Sequence, residues 1–312
     1  YSMPFRLWEG RHLLEFRSQD NIGNLEAAKS AIVNIDGGVP ETFASFAGTP
    51  GRNGWYVSTV TVTLASTDPV SGVAGIYYQL EAGGQWSQIM RYARPVVVSD
   101  EGVFKVYYYA KDNVANKEAE RYLAFKIDRS SPVANIALSP AQNPGGWNNT
   151  PVDVVFTGTD SVSGIEHCSS SNTISGSGLG VPVSGYCMDY AGWSSTVSFT
   201  LNIDTAAPAS TVNVAGTAGS NGWYVSPVVV SFVSTDVLSG LATVYYSLDE
   251  GAFAVYSSSF GVGAEGRHSL RYYAVDFAGN TEAVKNVGFD IDLSTPGLNA
   301  SAEPPANFEG WN

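Results

Sequence analysis

The feature that most constrains the fold of this chain is an internal repeat. The dipeptide Ile-Asp occurs four times, at intervals of 92, 76 and 88 residues. A Gly-Trp dipeptide recurs at the same intervals, and each of its tryptophans lies 19 residues after an Ile-Asp aspartate. Periods of this length indicate one structural unit used several times along the chain. The repeated positions are Asp36, Asp128, Asp204 and Asp292, followed by Trp55, Trp147, Trp223 and Trp311.

Two further motifs fall inside each unit and predict its boundaries. Thr-Asp-x-x-Ser-Gly occurs at Asp68, Asp160 and Asp236, and Asp-x-x-(Gly/Ala)-Asn occurs at Asp20, Asp112 and Asp276, with a variant that starts at Asp189. We therefore expect three whole repeats flanked by two partial ones. The simplest explanation for the partial repeats is a window from a longer tandem array; the alternative is that a partner chain supplies the missing strands. The predicted segments are 1–36 (the C-terminal part of a repeat), 37–128, 129–204 (shorter), 205–292 and 293–312 (the start of a further repeat).

The hydrophobic pattern inside a unit has a period of two. After the first Gly-Trp, for example, Val60, Val62 and Leu64 alternate with threonines. This alternation indicates β-strands with one buried face, and no segment has the 3.6-residue period of an amphipathic helix. The 33 glycines agree with a fold rich in tight turns. Units of 76 to 92 residues made of such strands predict an all-β protein, a tandem array of Ig-like antiparallel β-sandwiches.

The motifs together resemble a known family. The unit NGWYVS-x-VxVxL, TDxxSG, YYxL, EGxHxLxYYAxDxAGN, IDxxxP is similar to the bacterial Ig-like repeats of large secreted and surface proteins, including the OmpL47-type repeats. The resemblance covers essentially the whole chain and is strongest in 37–128 and 205–292. The middle repeat lacks the YYxL strand and has Trp193 where the turn asparagine is expected. The resemblance implies an extracellular or cell-surface location.

Composition and motifs narrow the possible functions. The net charge of −13 repels phosphate backbones, so we expect no nucleic-acid partner. No apolar run is long enough to predict a membrane span in this segment. The sequence contains no P-loop, HExxH, Gly-x-Ser-x-Gly or dinucleotide motif. We therefore expect no enzyme. The resemblance implies a structural array instead: a stalk, adhesin shaft or filament segment whose partners are neighbouring repeats and other copies in a fibre. The alternatives are a carbohydrate- or protein-binding surface module, with surface glycans as partners, and an accessory array of a secreted enzyme.

The two cysteines lie on inward-facing positions of different predicted strands of the middle repeat. Because two inward positions can meet across a sandwich core, we expect Cys168 and Cys187 to form a disulfide, with Cα atoms roughly 4.4–6.8 Å apart. The alternative is a pair of buried free thiols. The equivalent positions in the other repeats are Ile76 and Val244 for Cys168, and Ala110 and Ala274 for Cys187.

Three aspartates are expected to converge at each junction between repeats. In an Ig-like sandwich, the linker, the TDxxSG turn and the DxxGN turn all lie at the same pole. Such a carboxylate cluster is repulsive unless a cation or hydrogen-bond donors neutralise it, and Ca²⁺ accepts such oxygen ligands in loose geometry. The alternative is that each aspartate caps its own turn. The predicted calcium triads are Asp36 with Asp68 and Asp112, Asp128 with Asp160 and Asp189, and Asp204 with Asp236 and Asp276.

Tyrosines on the outward face of two strands form a candidate binding surface. In each tyrosine doublet one ring faces inward and its neighbour faces outward. Outward rings on neighbouring strands either pack across the strands or offer a contact surface for glycans or another chain. The candidate residues are Tyr77, Tyr107 and Tyr109 in the first repeat, and Tyr245 and Tyr273, beside Arg271, in the third.

Overall fold

The computed structural model describes residues 3–300 and shows an all-β chain of Ig-like antiparallel sandwiches. Trp311, with most of the predicted segment 293–312, lies outside the described residues. Within them no helix is long and apolar enough to cross a membrane. The described residues fall into two compact units. One comprises residues up to 135 with 156–169 and 185–197, and the other comprises 136–155, 170–184 and residues from 198 onward.

The first described segment contains two strands. The antiparallel pair begins with Gly10 opposite Ile35 and ends with Phe16 opposite Lys29. The Asp20 turn connects the two strands, as the DxxGN turn does in the complete repeats. The strands are β1 (Gly10–Phe16) and β2 (Lys29–Ile35).

The first complete repeat is built from two sheets that enclose one core. One sheet has the order β3-β5-β9, and the other has the order β4-β11-β10-β6, with β7 and β8 both paired to β6. The alternating Val60, Val62 and Leu64 face Phe104, Val106 and Phe125 in this core, because successive side chains point to opposite faces of a strand. The strands are β3 (Glu41–Ala47), β4 (Trp55–Tyr56), β5 (Val60–Thr67), β6 (Val73–Ala82), β7 (Gln85–Trp86), β8 (Met90–Arg91), β9 (Val96–Val98), β10 (Gly102–Asp112) and β11 (Arg121–Ile127).

The middle repeat has two three-stranded sheets, in the orders β12-β13-β15 and β14-β16-β17. The strand that follows the TDxxSG turn is only four residues long, and β15 pairs with β13 of the other sheet. This agrees with the missing YYxL pattern. The strands are β12 (Val133–Ser139), β13 (Val152–Thr159), β14 (Ile165–Cys168), β15 (Asn172–Ile174), β16 (Gly178–Asp189) and β17 (Ser194–Ile203).

The predicted disulfide between Cys168 and Cys187 is present, but the prediction that it crosses the core was wrong. The cysteines lie directly opposite each other on β14 and β16, which are neighbours in one sheet. Their Cα atoms are 4.0 Å apart, closer than expected, because directly opposed residues of an antiparallel pair are near neighbours. A Cβ atom on Gly158 would lie 2.8 Å from the Cys187 sulfur, so glycine at this position makes room for the bond.

The third complete repeat reproduces the first. Its sheets have the orders β18-β20-β23 and β19-β25-β24-β21-β22. Val228, Val230, Leu270 and Ile291 form its buried core. A single 3-10 turn, Ser220–Gly222, precedes the Gly-Trp strand. The strands are β18 (Ala209–Ala215), β19 (Trp223–Tyr224), β20 (Val228–Thr235), β21 (Leu241–Leu248), β22 (Ala254–Val255), β23 (Phe260–Val262), β24 (Gly266–Asp276) and β25 (Lys285–Ile291).

In the first and third repeats, a buried glutamate between the last two strands holds the first strand of the repeat. The Glu118 carboxylate accepts the N–H of Thr42 at 3.1 Å, the Thr42 hydroxyl, and the N–H of Ala110 at 2.6 Å. Glu282 binds the N–H and hydroxyl of Ser210 in the same way. Burial opposes ionisation of Glu282, but hydrogen bonds from Lys285 and Ser210 outweigh it and lower the pKa of this carboxyl. We call Glu118 and Glu282 the clasp glutamates.

Replacing a clasp glutamate should destabilise its repeat. In Glu118→Gln one acceptor oxygen becomes a donor, so a buried N–H or hydroxyl loses its partner. We expect a loss of about 1–3 kcal/mol in the free energy of unfolding, measured by chemical denaturation. The exposed Glu120→Gln is the matched control, with an expected change within about 0.5 kcal/mol. Equal effects in the two variants would contradict the clasp.

The third repeat should also respond to pH through His268. Burial disfavours the charged imidazole, but bonds to the Ala264 carbonyl (2.9 Å) and the Asp249 carboxylate (2.8 Å) outweigh it and raise the pKa of His268. A raised pKa in the folded state means that the stabilisation is complete below the unfolded pKa, about 6.5, and is lost as the pH rises through the folded value.

The matched variant is His268→Phe, because phenylalanine occupies the equivalent position at Phe104 in the first repeat. We expect thermal melts of the unmodified protein to gain stability between pH 8.5 and pH 5.5 relative to the variant. Parallel pH profiles for the two proteins would show that the imidazole charge does not contribute.

Candidate functional site

The aspartate of each TDxxSG motif caps its own turn. One oxygen of Asp68 accepts the N–H groups of Val70 (3.2 Å), Ser71 (2.9 Å) and Gly72 (2.8 Å). The glycine of this motif has a φ of +81°, a left-handed conformation that side chains disfavour. The motif therefore holds a turn through one carboxylate oxygen and one glycine. Asp160 and Asp236 cap their turns through the same Oδ1 atom.

The asparagine of the DxxGN turn ties that turn to the linker. Oδ1 of Asp112 accepts the N–H groups of Val114 and Asn116 at 3.0 and 2.7 Å. The side-chain amide of Asn116 then donates to Oδ2 of Asp112 at 2.7 Å and to the Asp36 carbonyl at 3.2 Å. In the third repeat Asn280 donates to Asp276 Oδ2 and to the Asp204 carbonyl, both at 2.7 Å.

The linker aspartate makes the third contact. Oδ2 of Asp36 accepts the Ser71 N–H at 3.0 Å, and Oδ2 of Asp204 accepts the Ser239 N–H at 2.9 Å. The hydrogen bond from Ser71 lowers the pKa of Asp36. Burial opposes ionisation of Asp204, but hydrogen bonds from Ser239 and Ala206 outweigh it and lower its pKa. These two linkers are therefore attached to both turns of the following repeat.

The structure brings together the three aspartates of each junction. In every triad one carboxylate oxygen from each residue lies within 4.8 Å of the others. The burial of the triads differs, since Asp36 and Asp68 are half-buried whereas Asp128 and Asp189 are fully buried. Three carboxylates in this arrangement can offer an all-oxygen ligand set to a hard cation. The triads are Asp36, Asp68 and Asp112; Asp128, Asp160 and Asp189; and Asp204, Asp236 and Asp276.

The middle triad has fewer hydrogen-bond donors than the other two. Trp193 replaces the turn asparagine; its backbone N–H donates to Asp189 Oδ1 at 2.9 Å and its indole N–H donates to the Asp128 carbonyl at 3.1 Å. Oδ2 of Asp128 and Oδ2 of Asp189 are buried and accept no hydrogen bond from the described residues. Burial raises the pKa of Asp189 and the charges of Asp128 and Asp160 add to that rise, although the backbone N–H groups of Trp193 and Gly192 oppose it.

In the first and middle repeats, the turn before the Gly-Trp dipeptide contacts the Asp turn of the next repeat. The backbone N–H of Arg52 donates to the Ala191 carbonyl at 2.9 Å, and the Asn53 side chain donates to the Tyr190 carbonyl at 3.0 Å. The Arg52 guanidinium also lies 2.9 Å from the Glu166 carboxylate. At the following junction Asn143 donates to the Phe277 carbonyl at 2.9 Å. We call this arrangement the junction clamp.

The candidate tyrosines pair across neighbouring strands and are half-buried. Tyr77 stacks on Tyr109 with ring centroids 5.4 Å apart, and Tyr245 stacks on Tyr273 at 5.0 Å. Such cross-strand packing by itself explains their presence. Tyr107 differs, because it lies between Trp86 (4.7 Å) and Tyr122 (5.3 Å), whose side chains are 53% and 56% exposed.

Sequence reasoning missed the clasp glutamates and the second role of the turn asparagine. The signal is present, because asparagine and glutamate follow the turn aspartate by four and six residues in three of the four turns. These are Asn24 and Glu26, Asn116 and Glu118, and Asn280 and Glu282; the middle repeat has Trp193 and Ser195 instead. This repeated spacing indicates a turn with the same internal hydrogen bonds in each repeat. It does not indicate which strand the glutamate binds.

The comparisons with known proteins describe similarity of architecture. No family profile matches the chain, and no curated protein matches it in sequence. A structure of a 1.5-MDa bacterial ice-binding adhesin is 17% identical, with a TM-score of 0.32 over 81% of this chain and 98% of that one. A tetra-tandem repeat from the extending region of a large adhesion protein is 15% identical, with a TM-score of 0.33 over 92% and 83%. Three N-terminal domains of the bacteriophage RB49 outer capsid protein Hoc are 11% identical, with a TM-score of 0.36 over 82% and 99%. At these scores the similarities carry no argument about function, and the resemblance to OmpL47-type repeats is not supported by a family profile.

Proposed function

We propose that the chain is a non-enzymatic structural segment of an extracellular repeat array. The observation that carries the proposal is the junction clamp, in which a turn of one repeat binds backbone carbonyls of the next at two successive junctions. In both contacts an asparagine side chain donates to the carbonyl of the residue that follows the turn aspartate, Tyr190 after Asp189 and Phe277 after Asp276. The same point of the Asp turn is therefore held by the preceding repeat at both junctions. Such contacts limit bending, which is the property that a shaft requires.

Two further features support this proposal. The Cys168–Cys187 disulfide suits an oxidising, extracellular compartment. The aspartates of the junctions, which could otherwise serve acid–base chemistry, are occupied in accepting backbone N–H groups of their own turns. Their role is therefore architectural. A stalk, an adhesin shaft and a filament segment would all need such aspartates to hold the turns at the junctions between repeats.

Calcium at the junction triads is the second part of the proposal. The triads offer only oxygen ligands, and calcium accepts six to eight oxygens in flexible geometry, including carbonyls and water. An ion there would join the linker aspartate to both turns of the following repeat and would stiffen the linker. Hydrogen-bond donors already neutralise part of each triad, so the ion would add to an existing connection.

A second candidate function is glycan binding by the first repeat. The row of Trp86, Tyr107 and Tyr122 leaves two large rings more than half exposed, and amphipathic rings of this kind stack on sugars. In the third repeat Arg271 pairs with Asn286 at the positions of Tyr107 and Tyr122, so that repeat does not reproduce the aromatic row. A glycan array probed with the protein and with Trp86→Ala tests this role. Glycan binding by the unmodified protein but not by Trp86→Ala would support this role. The absence of binding by the unmodified protein would refute it.

The junction clamp can be tested with a matched pair of variants. Asn53 and Asn221 both occupy the left-handed conformation in the turn before a Gly-Trp strand, with φ of 51° and 55°. Of these two asparagines, only Asn53 donates a side-chain hydrogen bond to a following repeat within the described residues. We expect Asn53→Ala to increase flexibility between repeats in small-angle X-ray scattering, whereas Asn221→Ala leaves the scattering unchanged.

The control removes the contribution of backbone strain, because alanine in the left-handed conformation costs about 1 kcal/mol at either site. Both variants should therefore lose similar stability in thermal melts. Unchanged scattering from Asn53→Ala, or an equal change from both variants, would contradict the clamp as the source of stiffness.

A further inference from the structure

The three acidic triads are not equivalent, and the difference originates in the residue that follows the Asp turn. Asparagine has two side-chain N–H groups, whereas the tryptophan indole has one. In the first and third repeats one asparagine N–H binds the linker carbonyl and the other binds Oδ2 of the turn aspartate. In the middle repeat the single indole N–H binds the linker carbonyl. No side-chain donor from this residue remains for Oδ2 of Asp189.

The linker aspartate of the middle triad differs in the same direction. Asp36 and Asp204 each use Oδ2 to accept a serine N–H of the following turn. Asp128 binds the N–H and hydroxyl of Ser130 through Oδ1, and its Oδ2 is left without a donor. Two carboxylates of this acidic cluster are therefore 0% exposed, and each has a buried oxygen without a donor among the described residues.

A buried carboxylate oxygen of this kind is stabilised by a counter-charge or by protonation. An ionised carboxylate removed from water is costly unless it is paired, and like charges close together add to the cost. No lysine, arginine or histidine among the described residues forms an ion pair with Asp128, Asp160 or Asp189 within 4.0 Å. The ligand set contains only oxygen, which favours a hard divalent cation over zinc or copper.

From this geometry we propose that Asp128, Asp160 and Asp189 form the one high-affinity calcium site among the described residues. The two asparagine-containing triads bind the ion much more weakly, because their own amide donors occupy the oxygens that an ion would use. This inference rests on the proposed function and deepens it by locating the ion at one junction. Trp193 acts as the specificity-determining residue without being a ligand.

Isothermal titration of the whole chain with calcium tests the proposal directly. We expect one tight site per chain and a rise in melting temperature with calcium that chelator reverses. Asp189→Asn should abolish the tight site, because it removes a ligand charge. Asp153→Asn, at an exposed position of the same repeat, is the control and should leave the titration unchanged.

A second matched pair isolates the role of Trp193. Trp193→Phe removes the indole N–H without supplying a donor, so the tight site should persist. Trp193→Asn supplies the amide of the other junctions and should weaken calcium binding by about 10- to 100-fold, the usual effect of residues next to a ligand. Circular dichroism of both variants verifies the fold, and if Trp193→Asn does not fold, the Asp189→Asn titration decides the question.

The outcomes separate this inference from the proposed function. Three equal calcium sites, or equal affinities for Trp193→Phe and Trp193→Asn, would overturn the inference and leave the array function intact. The absence of any tight site would overturn both the inference and the calcium part of the proposal. The array function itself depends on the scattering of Asn53→Ala, which needs no calcium.

Discussion

Every junction of this chain depends on one interaction, the capping of a turn by the carboxylate of the aspartate that begins it. One oxygen of Asp68 or Asp160 gathers three successive backbone N–H groups, which would otherwise remain without partners at the pole of a sandwich. These hydrogen bonds fix the shape of the turn, and all of them use the Oδ1 atom of the aspartate. The junctions differ at the aspartate of the DxxGN turn: an asparagine side chain donates to Oδ2 of Asp112 and of Asp276, whereas no donor among the described residues reaches Oδ2 of Asp189.

The sequence was sufficient for the features that follow from spacing and topology. The period of two predicted the strands, and the order of turns in an Ig-like sandwich predicted which aspartates share a pole. It was insufficient where the outcome depends on strand neighbours and donor counts. Cys168 and Cys187 were recognised as inward-facing, but the pattern could not show that their strands adjoin in one sheet. Trp193 was recognised as a departure, but its effect on Asp189 follows from where its single indole N–H points.

The middle repeat connects its strands by different means from its neighbours. Where the first and third repeats have the clasp glutamates Glu118 and Glu282, it has Ser195, whose hydroxyl is buried and has no hydrogen-bond partner within residues 3–300. It has instead a covalent bond between β14 and β16, at positions occupied by Ile76 and Ala110 in the first repeat. The same sandwich thus tolerates either a carboxylate between sheet and first strand or a cross-strand disulfide within one sheet.

The clasp glutamates also determine when a repeat can close during synthesis. Thr42 binds Glu118, which follows it by 76 residues, and Ser210 binds Glu282, which follows it by 72 residues. The first strand of a repeat therefore emerges from the ribosome or a secretion channel long before its partner, and contacts between such distant residues form slowly. In these two repeats the first strand can therefore be fixed in place only after the last turn has emerged, whereas the middle repeat, which lacks the glutamate, does not depend on that contact.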